Sequence, residues 1–116
     1  MGSRGEDLAA AHLTGEGFTI LARNLRTRHA EIDLLVRRGP LVVAVEVKTR
    51  RHHLAPELTV CTRQRSGLRR ALMELAEGMR RRPRVLRIDV VAVRPLAADT
   101  WDVRCFPGVE FHPSPD

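Results

Sequence analysis

Lys48 is the only lysine of the chain, against nineteen arginines, and it closes the run Leu41-Val42-Val43-Ala44-Val45-Glu46-Val47-Lys48. An otherwise apolar stretch there acquires an acid and a base two residues apart. Lysine is a compact point charge whose pKa burial can lower, whereas the arginine fork is planar and always charged. A lysine in this setting suits work on a reacting water or an oxyanion; a solvated strand end in an arginine-rich composition is the plain alternative. Asp33 precedes Glu46 with twelve residues between them. If a turn centred on Gly39-Pro40 joins two antiparallel strands, Asp33 falls directly opposite Glu46 and on the same face. Both carboxylates would then reach one ion, with Lys48 about 7 Å further along that face, a distance its stem spans. Two hard oxygen ligands beside a lysine suit Mg²⁺ or Mn²⁺ held largely through water and substrate phosphate. The metal would polarise the phosphate and lower the pKa of a bound water, while Lys48 positions that water or offsets charge on the scissile group. The competing reading is a buried acid–lysine cluster that only satisfies itself, although buried ion pairs seldom stabilise more than apolar replacements do.

The elements that must hold these groups follow from periodicity. Glu6, Ala9, Ala10 and Leu13 recur at helical spacing, and Gly15 and Gly17 close a first helix over residues 4 to 16. Strands are predicted from Phe18 to about Asn24 and from Ala30 to Arg37, the second with Glu31 and Asp33 on one face and Ile32 and Leu34 on the other. Gly39-Pro40 turns the chain into a third strand, Leu41 to Thr49, apolar enough to be central and covered on both sides. Arg50 to Thr59 reads as a polar loop. Leu68, Ala71, Leu72, Leu75, Ala76 and Met79 then form the apolar stripe of a second helix, which runs out in Arg80-Arg81-Arg82 before Pro83. Val85 to Val93 and Thr100 to Phe106 complete the strands. The order is αβββαβ with a trailing strand, an α/β fold whose mixed central sheet is flanked by helices. Residues 1 to 110 form one domain, and the proline-containing end from Pro107, above all 111 to 116, reads as a loose tail.

A chain of 116 residues is large enough for one core without metal or disulfide staples. Its 20 basic residues against 14 acidic ones leave a formal charge of +6, which attracts polyanions, nucleic acid first and anionic membrane second. With no tyrosine, one tryptophan and three phenylalanines there is little surface for base stacking. No apolar run approaches the ~20 residues of a membrane span, and no signal peptide opens the chain, so a cytoplasmic protein with no membrane partner is expected. Cys61 and Cys105 have neither metal-ligand nor disulfide-framework spacing and read as reduced thiols.

Taken in order, Gly5-Glu6, Arg23-Asn24, Glu31-Ile32-Asp33, Val45-Glu46-Val47-Lys48, the Leu68 to Ala71 helix and Arg87-Ile88-Asp89-Val90-Val91 resemble the YraN-like family of bacterial proteins, over residues 2 to about 111. Asp33 followed by Glu46-Val47-Lys48 looks like the PD-(D/E)xK nuclease signature, with Ile32 where the proline would stand. The resemblance implies a restriction-endonuclease-like core similar to that of Holliday-junction resolvases. It makes Asp33 and Glu46 metal ligands, Lys48 the catalytic lysine, and Glu6 an additional acid reaching the site from the first helix. Ala30 replaces a usual glycine, which could tilt the hairpin, and Gln64 replaces a lysine that could touch phosphate.

Other residues have two readings each. Glu31 either supports Asp33 or pairs with an arginine. Asp89 reads as a structural partner of Arg87. Adjacent His52 and His53 suit solvent better than a metal. Arg63, Arg65, Arg69 and Arg70, with Gln64, form a candidate phosphate-contacting cluster, although Arg70 is also spaced to pair with Glu74 along the helix. The sequence thus points to a Mg²⁺- or Mn²⁺-dependent nuclease hydrolysing phosphodiester bonds, in DNA and at branched or structured sites, with a role in repair or recombination. The alternative is a non-catalytic nucleic-acid-binding accessory module on the same fold. Symmetric cutting of two strands calls for two sites, so a homodimer is the assembly that analogy suggests.

Overall fold

The computed structural model describes residues 4–50 and 61–113. The polar loop with His52 and His53, and the last three residues of the tail, lie outside them. The element order is α1 (Arg4–Gly15), β1 (Thr19–Arg26), β2 (Glu31–Arg38), β3 (Leu41–Thr49), α2 (Thr62–Gly78), β4 (Val85–Pro95) and β5 (Trp101–Phe106). The five strands form one sheet in chain order, with β3 and β4 parallel and the other neighbours antiparallel. The expected α/β architecture, a mixed sheet between two helices, is the one the chain adopts.

Alternation along β3 sorts the core into two layers. Val43 and Val45 pack with Leu34, Val36, Val91 and Val93 beneath Ala9, Ala10 and Leu13 of α1. Val42 and Ala44 point the other way, with Leu35, Leu86 and Ile88, beneath Leu68, Ala71, Leu72 and Ala76 of α2. The α2 stripe read from the sequence is therefore the face it buries. Covered on both sides, β3 can be apolar throughout, and Glu46 and Lys48 interrupt it on the α2 side near its end.

Two local devices set the hairpins. At the β1–β2 turn the Thr27 hydroxyl accepts the amides of His29 and Ala30, and its own amide donates to the Ala30 carbonyl. Gly67 of α2 lies against this turn, where an added Cβ would come within 2.6 Å of the His29 carbonyl oxygen. Any side chain at residue 67 would push turn and helix apart. Ala30 needs no glycine-like backbone: among the described non-glycine residues only Asn24 and Asp99 have positive φ. At the β2–β3 turn Gly39 takes φ +61, the left-handed backbone that a tight hairpin turn demands. Pairing of β1 with β2 slips between Ile20 and Ala22.

Past β5, the stretch read as loose from Pro107 is held at two points. Gly108 donates its amide to Asp89, and Phe111 exchanges both backbone hydrogen bonds with Leu86, covering the part of β4 that β5 does not reach. Arg69 lies over the Phe111 ring at 4.2 Å. Among the described residues no helix is long and apolar enough to cross a membrane.

Candidate functional site

The β2–β3 ladder runs from Arg38 opposite Leu41 to Leu34 opposite Val45, and there it stops. Beyond that pair β2 stays with β1 as far as Glu31, while β3 stays with β4 as far as Thr49. The strands part where one further step of the same register would set Asp33 opposite Glu46. Asp33 fills the opening: its Oδ2 accepts the Val47 amide at 2.8 Å, replacing a missing ladder bond. Its Oδ1 has no hydrogen-bond partner among the described residues.

Glu46 and Lys48 follow on the α2 side of β3, with side chains 15% and 18% exposed and Lys48 Nζ 3.7 Å from Glu46 Oε2. Their register partners on β4 are Val90 and Ala92, both buried, which give the site an apolar floor. From α2, Gln64 lines the same opening beside Glu46. An open cleft of about 350 Å³ results, lined by Asp33 and Glu46, by His29, Ala30 and Glu31 of the hairpin, and by Arg63, Gln64 and Gly67 of α2.

The electrostatics follow from this placement. Burial pushes the Asp33 carboxyl above the ordinary aspartate range and Glu31 adds repulsion, while the Val47 amide and Lys48 oppose the rise. Burial also raises Glu46, with repulsion from Asp33 next, against hydrogen bonding from Gln64 and the Lys48 charge. Two half-buried acids, with Asp33 raising Glu46, favour a shared positive charge, so the residues fit a hard divalent cation bound through Asp33 and Glu46. Among the described residues no three His, Cys, Asp or Glu converge on one ion. Water or substrate would therefore supply the remaining ligands.

Not every sequence candidate is gathered here. Glu6 stands half-buried in the first turn of α1, whose buried side chains pack on the opposite layer. Glu31 borders the cleft and also pairs with Arg26 at 3.5 Å, so both of its readings describe it. Arg63 and Gln64 reach the cleft. Arg70 instead lines an adjoining depression with His29, and Arg65 and Arg69 border Glu110 and Phe111. Glu74 pairs with Arg28 at 2.6 Å and with His29 at 3.4 Å, not with Arg70. Asp89, 1% exposed, receives two hydrogen bonds from Arg87, the structural pair expected of it. His29 was not singled out from sequence. Its one signal was position, two residues before Glu31 at the head of the strand that carries Asp33.

The family model described as "Uncharacterised protein family UPF0102" matches residues 5–93. The chain belongs to the UPF0102 family. Its matched span includes Asp33, Glu46, Lys48 and all of α2, and this family is the YraN one that the motifs resemble. The UPF0102 protein of Syntrophotalea carbinolica is 43% identical over 112 residues, 93% of this chain and 89% of that protein. That of Rhodococcus opacus is 43% identical over 96 residues, 80% of each chain, and that of Symbiobacterium thermophilum 42% over 98 residues, 82% of each.

Proposed function

We propose that this UPF0102 chain hydrolyses phosphodiester bonds in nucleic acid, DNA first, using Mg²⁺ or Mn²⁺. The observation that carries the reading is the parting of β2 from β3, which sets Asp33 and Glu46 at one open cleft with Lys48 alongside. When bound, the metal supplies Lewis-acid polarisation of a phosphate oxygen and an activated water. Asp33 Oδ1 and the Glu46 carboxylate hold it. Lys48, kept on the same face by strand alternation, orients the attacking water or offsets the charge that builds on the phosphate. A phosphate entering the cleft meets the start of α2, which has no side-chain cap, no acid in its first turn, and Arg63 beside the opening. Unsatisfied amides and a positive helix end there favour an anion.

The test is incubation with duplex, branched, flapped and single-stranded DNA, with and without Mn²⁺, for wild type, Lys48→Ala and Lys48→Arg. Cleavage by wild type alone is the expected result, each variant losing about 10² to 10³ in rate while DNA binding stays nearly unchanged. The Lys48–Glu46 contact, with Gln64 beside Glu46, also suits a cluster that satisfies itself in a non-catalytic binding module. Wild-type binding without cleavage on any substrate, or undiminished cutting by Lys48→Arg, would favour that second reading.

A further inference from the structure

The arginines of this chain divide by what neutralises them. Along the sheet they meet acids: Arg23 with Asp7, Arg26 with Glu31, Arg28 with Glu74, Arg87 with Asp89, and Arg94 and Arg104 with Asp102. At the β2–β3 turn and the end of α2 this stops. Arg37 donates to the main-chain oxygens of Gly39 and Arg81, and Arg38 donates to that of Glu16 while lying over the Phe18 ring at 4.2 Å. Carbonyl and ring partners fix a guanidinium in place without cancelling its charge. Arg80 and Arg81 line the same groove, a concavity of about 460 Å³, and Arg82 follows, exposed, in the same run. None of these five has an ion pair to a carboxylate among the described residues.

We propose that this groove, at the opposite end of α2 from the acid cleft, is a second contact for the phosphate backbone of duplex nucleic acid. The proposal rests on the reading of the chain as acting on nucleic acid and extends its footprint. Arg37 and Arg38, already held in place, add positive charge at little ordering cost. The exposed Arg80-Arg81-Arg82 run supplies most of the charge that a phosphate backbone would meet. The seventeen residues of α2 separate this groove from Arg63. At about 1.5 Å rise per residue that is ~25 Å, or roughly seven base-pair steps along the axis of a duplex that rises about 3.4 Å per phosphate on each strand. Glu74 and Glu77 on the helix between them make two discrete contacts rather than one continuous stripe. A membrane surface fits less well, because interfacial binding needs apolar side chains beside the basic ones. Of the large exposed hydrophobics, only Leu21 borders the groove.

The experiment measures duplex affinity against salt for wild type, for R80Q/R81Q/R82Q, for the charge-keeping R80K/R81K/R82K and for R63Q/R70Q, with melting curves confirming the fold. The side chains of Arg80, Arg81 and Arg82 hold no hydrogen-bond or ion-pair partner among the described residues, so the glutamine triple should fold normally. The log–log salt slope of the glutamine triple should be shallower by about 2 to 3, each lost phosphate contact removing roughly 0.9, and the lysine triple should keep the wild-type slope. If R63Q/R70Q flattens the slope while R80Q/R81Q/R82Q leaves it alone, the second contact is wrong and the proposed function stands. If wild type binds no duplex at all, both fall. Loss of binding to phosphatidylserine vesicles with duplex affinity unchanged in the glutamine triple would assign the groove to a membrane and overturn the inference.

Discussion

Val47 donates its amide to Asp33 Oδ2 at 2.8 Å, where an unbroken ladder would offer it a β2 carbonyl. One oxygen of Asp33 therefore has a structural task and the other is open to a ligand. The two tasks separate by substitution. Asp33→Asn keeps an acceptor for Val47, whereas Asp33→Ala leaves a half-buried amide unpaired. The alanine variant should be less stable than the asparagine variant by about 1–3 kcal/mol, the cost of an unsatisfied buried group. Urea unfolding of the two variants side by side measures the difference; equal midpoints would mean that water replaces the carboxylate at no cost.

The pH dependence follows from the same burial. In the folded chain Asp33 and Glu46 both titrate above their ordinary range, chiefly through desolvation. In the unfolded chain they titrate normally, so between the two values the folded state holds more protons and stability falls as pH rises. The stabilising contribution of protonation is complete below the unfolded pKa and gone above the folded one. In metal-free buffer, wild type should lose stability relative to Asp33→Asn as pH climbs through that window. A constant difference between the two proteins across it would contradict burial as the cause.

Metal affinity should respond to Gln64 as well as to Asp33. Asp33→Asn should abolish Mn²⁺ binding without unfolding the domain, and calorimetry giving equal affinity in wild type and variant rules the carboxylate pair out. Gln64 restrains the rise of the Glu46 pKa by hydrogen bonding. Gln64→Ala should move half-maximal Mn²⁺ binding to higher pH, because Glu46 must lose its proton before it can act as a ligand.

Asp89 ties β4 to the segment after β5. It is 1% exposed, accepts two bonds from Arg87 and one from the Gly108 amide, and has no contact with the acid cleft. Removing Asp89 leaves the largely buried Arg87 with only the longer Glu110 contact at 3.9 Å, so Asp89→Ala should cost about 3 kcal/mol, the low end for a broken buried pair. Hydrogen exchange should show the Phe111 amide losing protection in the same variant. Protection unchanged at Phe111 would show that the Leu86 pairing holds the segment unaided.

Much of the site was legible because it is local. A short turn at Gly39-Pro40 fixes the β2–β3 register and brings Asp33 and Glu46 to the same end of the ladder. The pairing stops one step short of setting them directly opposite, because Asp33 turns its side chain to the Val47 amide. Alternation then carries Lys48 to the same face. What escaped depends on contacts distant in sequence. Gln64 stands in a basic helix start, and that it lines one cleft with Glu46 depends on a connection whose geometry no local rule sets. Glu74 has Arg70 at helical spacing, but the β1–β2 turn packs against Gly67 and brings Arg28 and His29 within reach. Which face of the sheet α1 covers is likewise a packing outcome, and Ala9, Ala10 and Leu13 meet Val43 and Val45 rather than Val42 and Ala44. The return of Phe111 to Leu86 was hidden by prolines that mark a break in regular structure without saying where the chain goes next.

The slip in pairing between Ile20 and Ala22 has a consequence for how the molecule meets others of its kind. β1 is an outer strand, and an outer strand with a regular backbone is a template on which a neighbouring chain can polymerise. Here the template is spoiled by the irregular register, by Asn24 at φ 50, and by the exposed Arg23 and Arg26. The other outer strand, β5, is six residues long and ends against Pro107, which has no amide to offer. Both margins of the sheet thus discourage growth by strand addition, which guards a chain so rich in valine against seeding fibres.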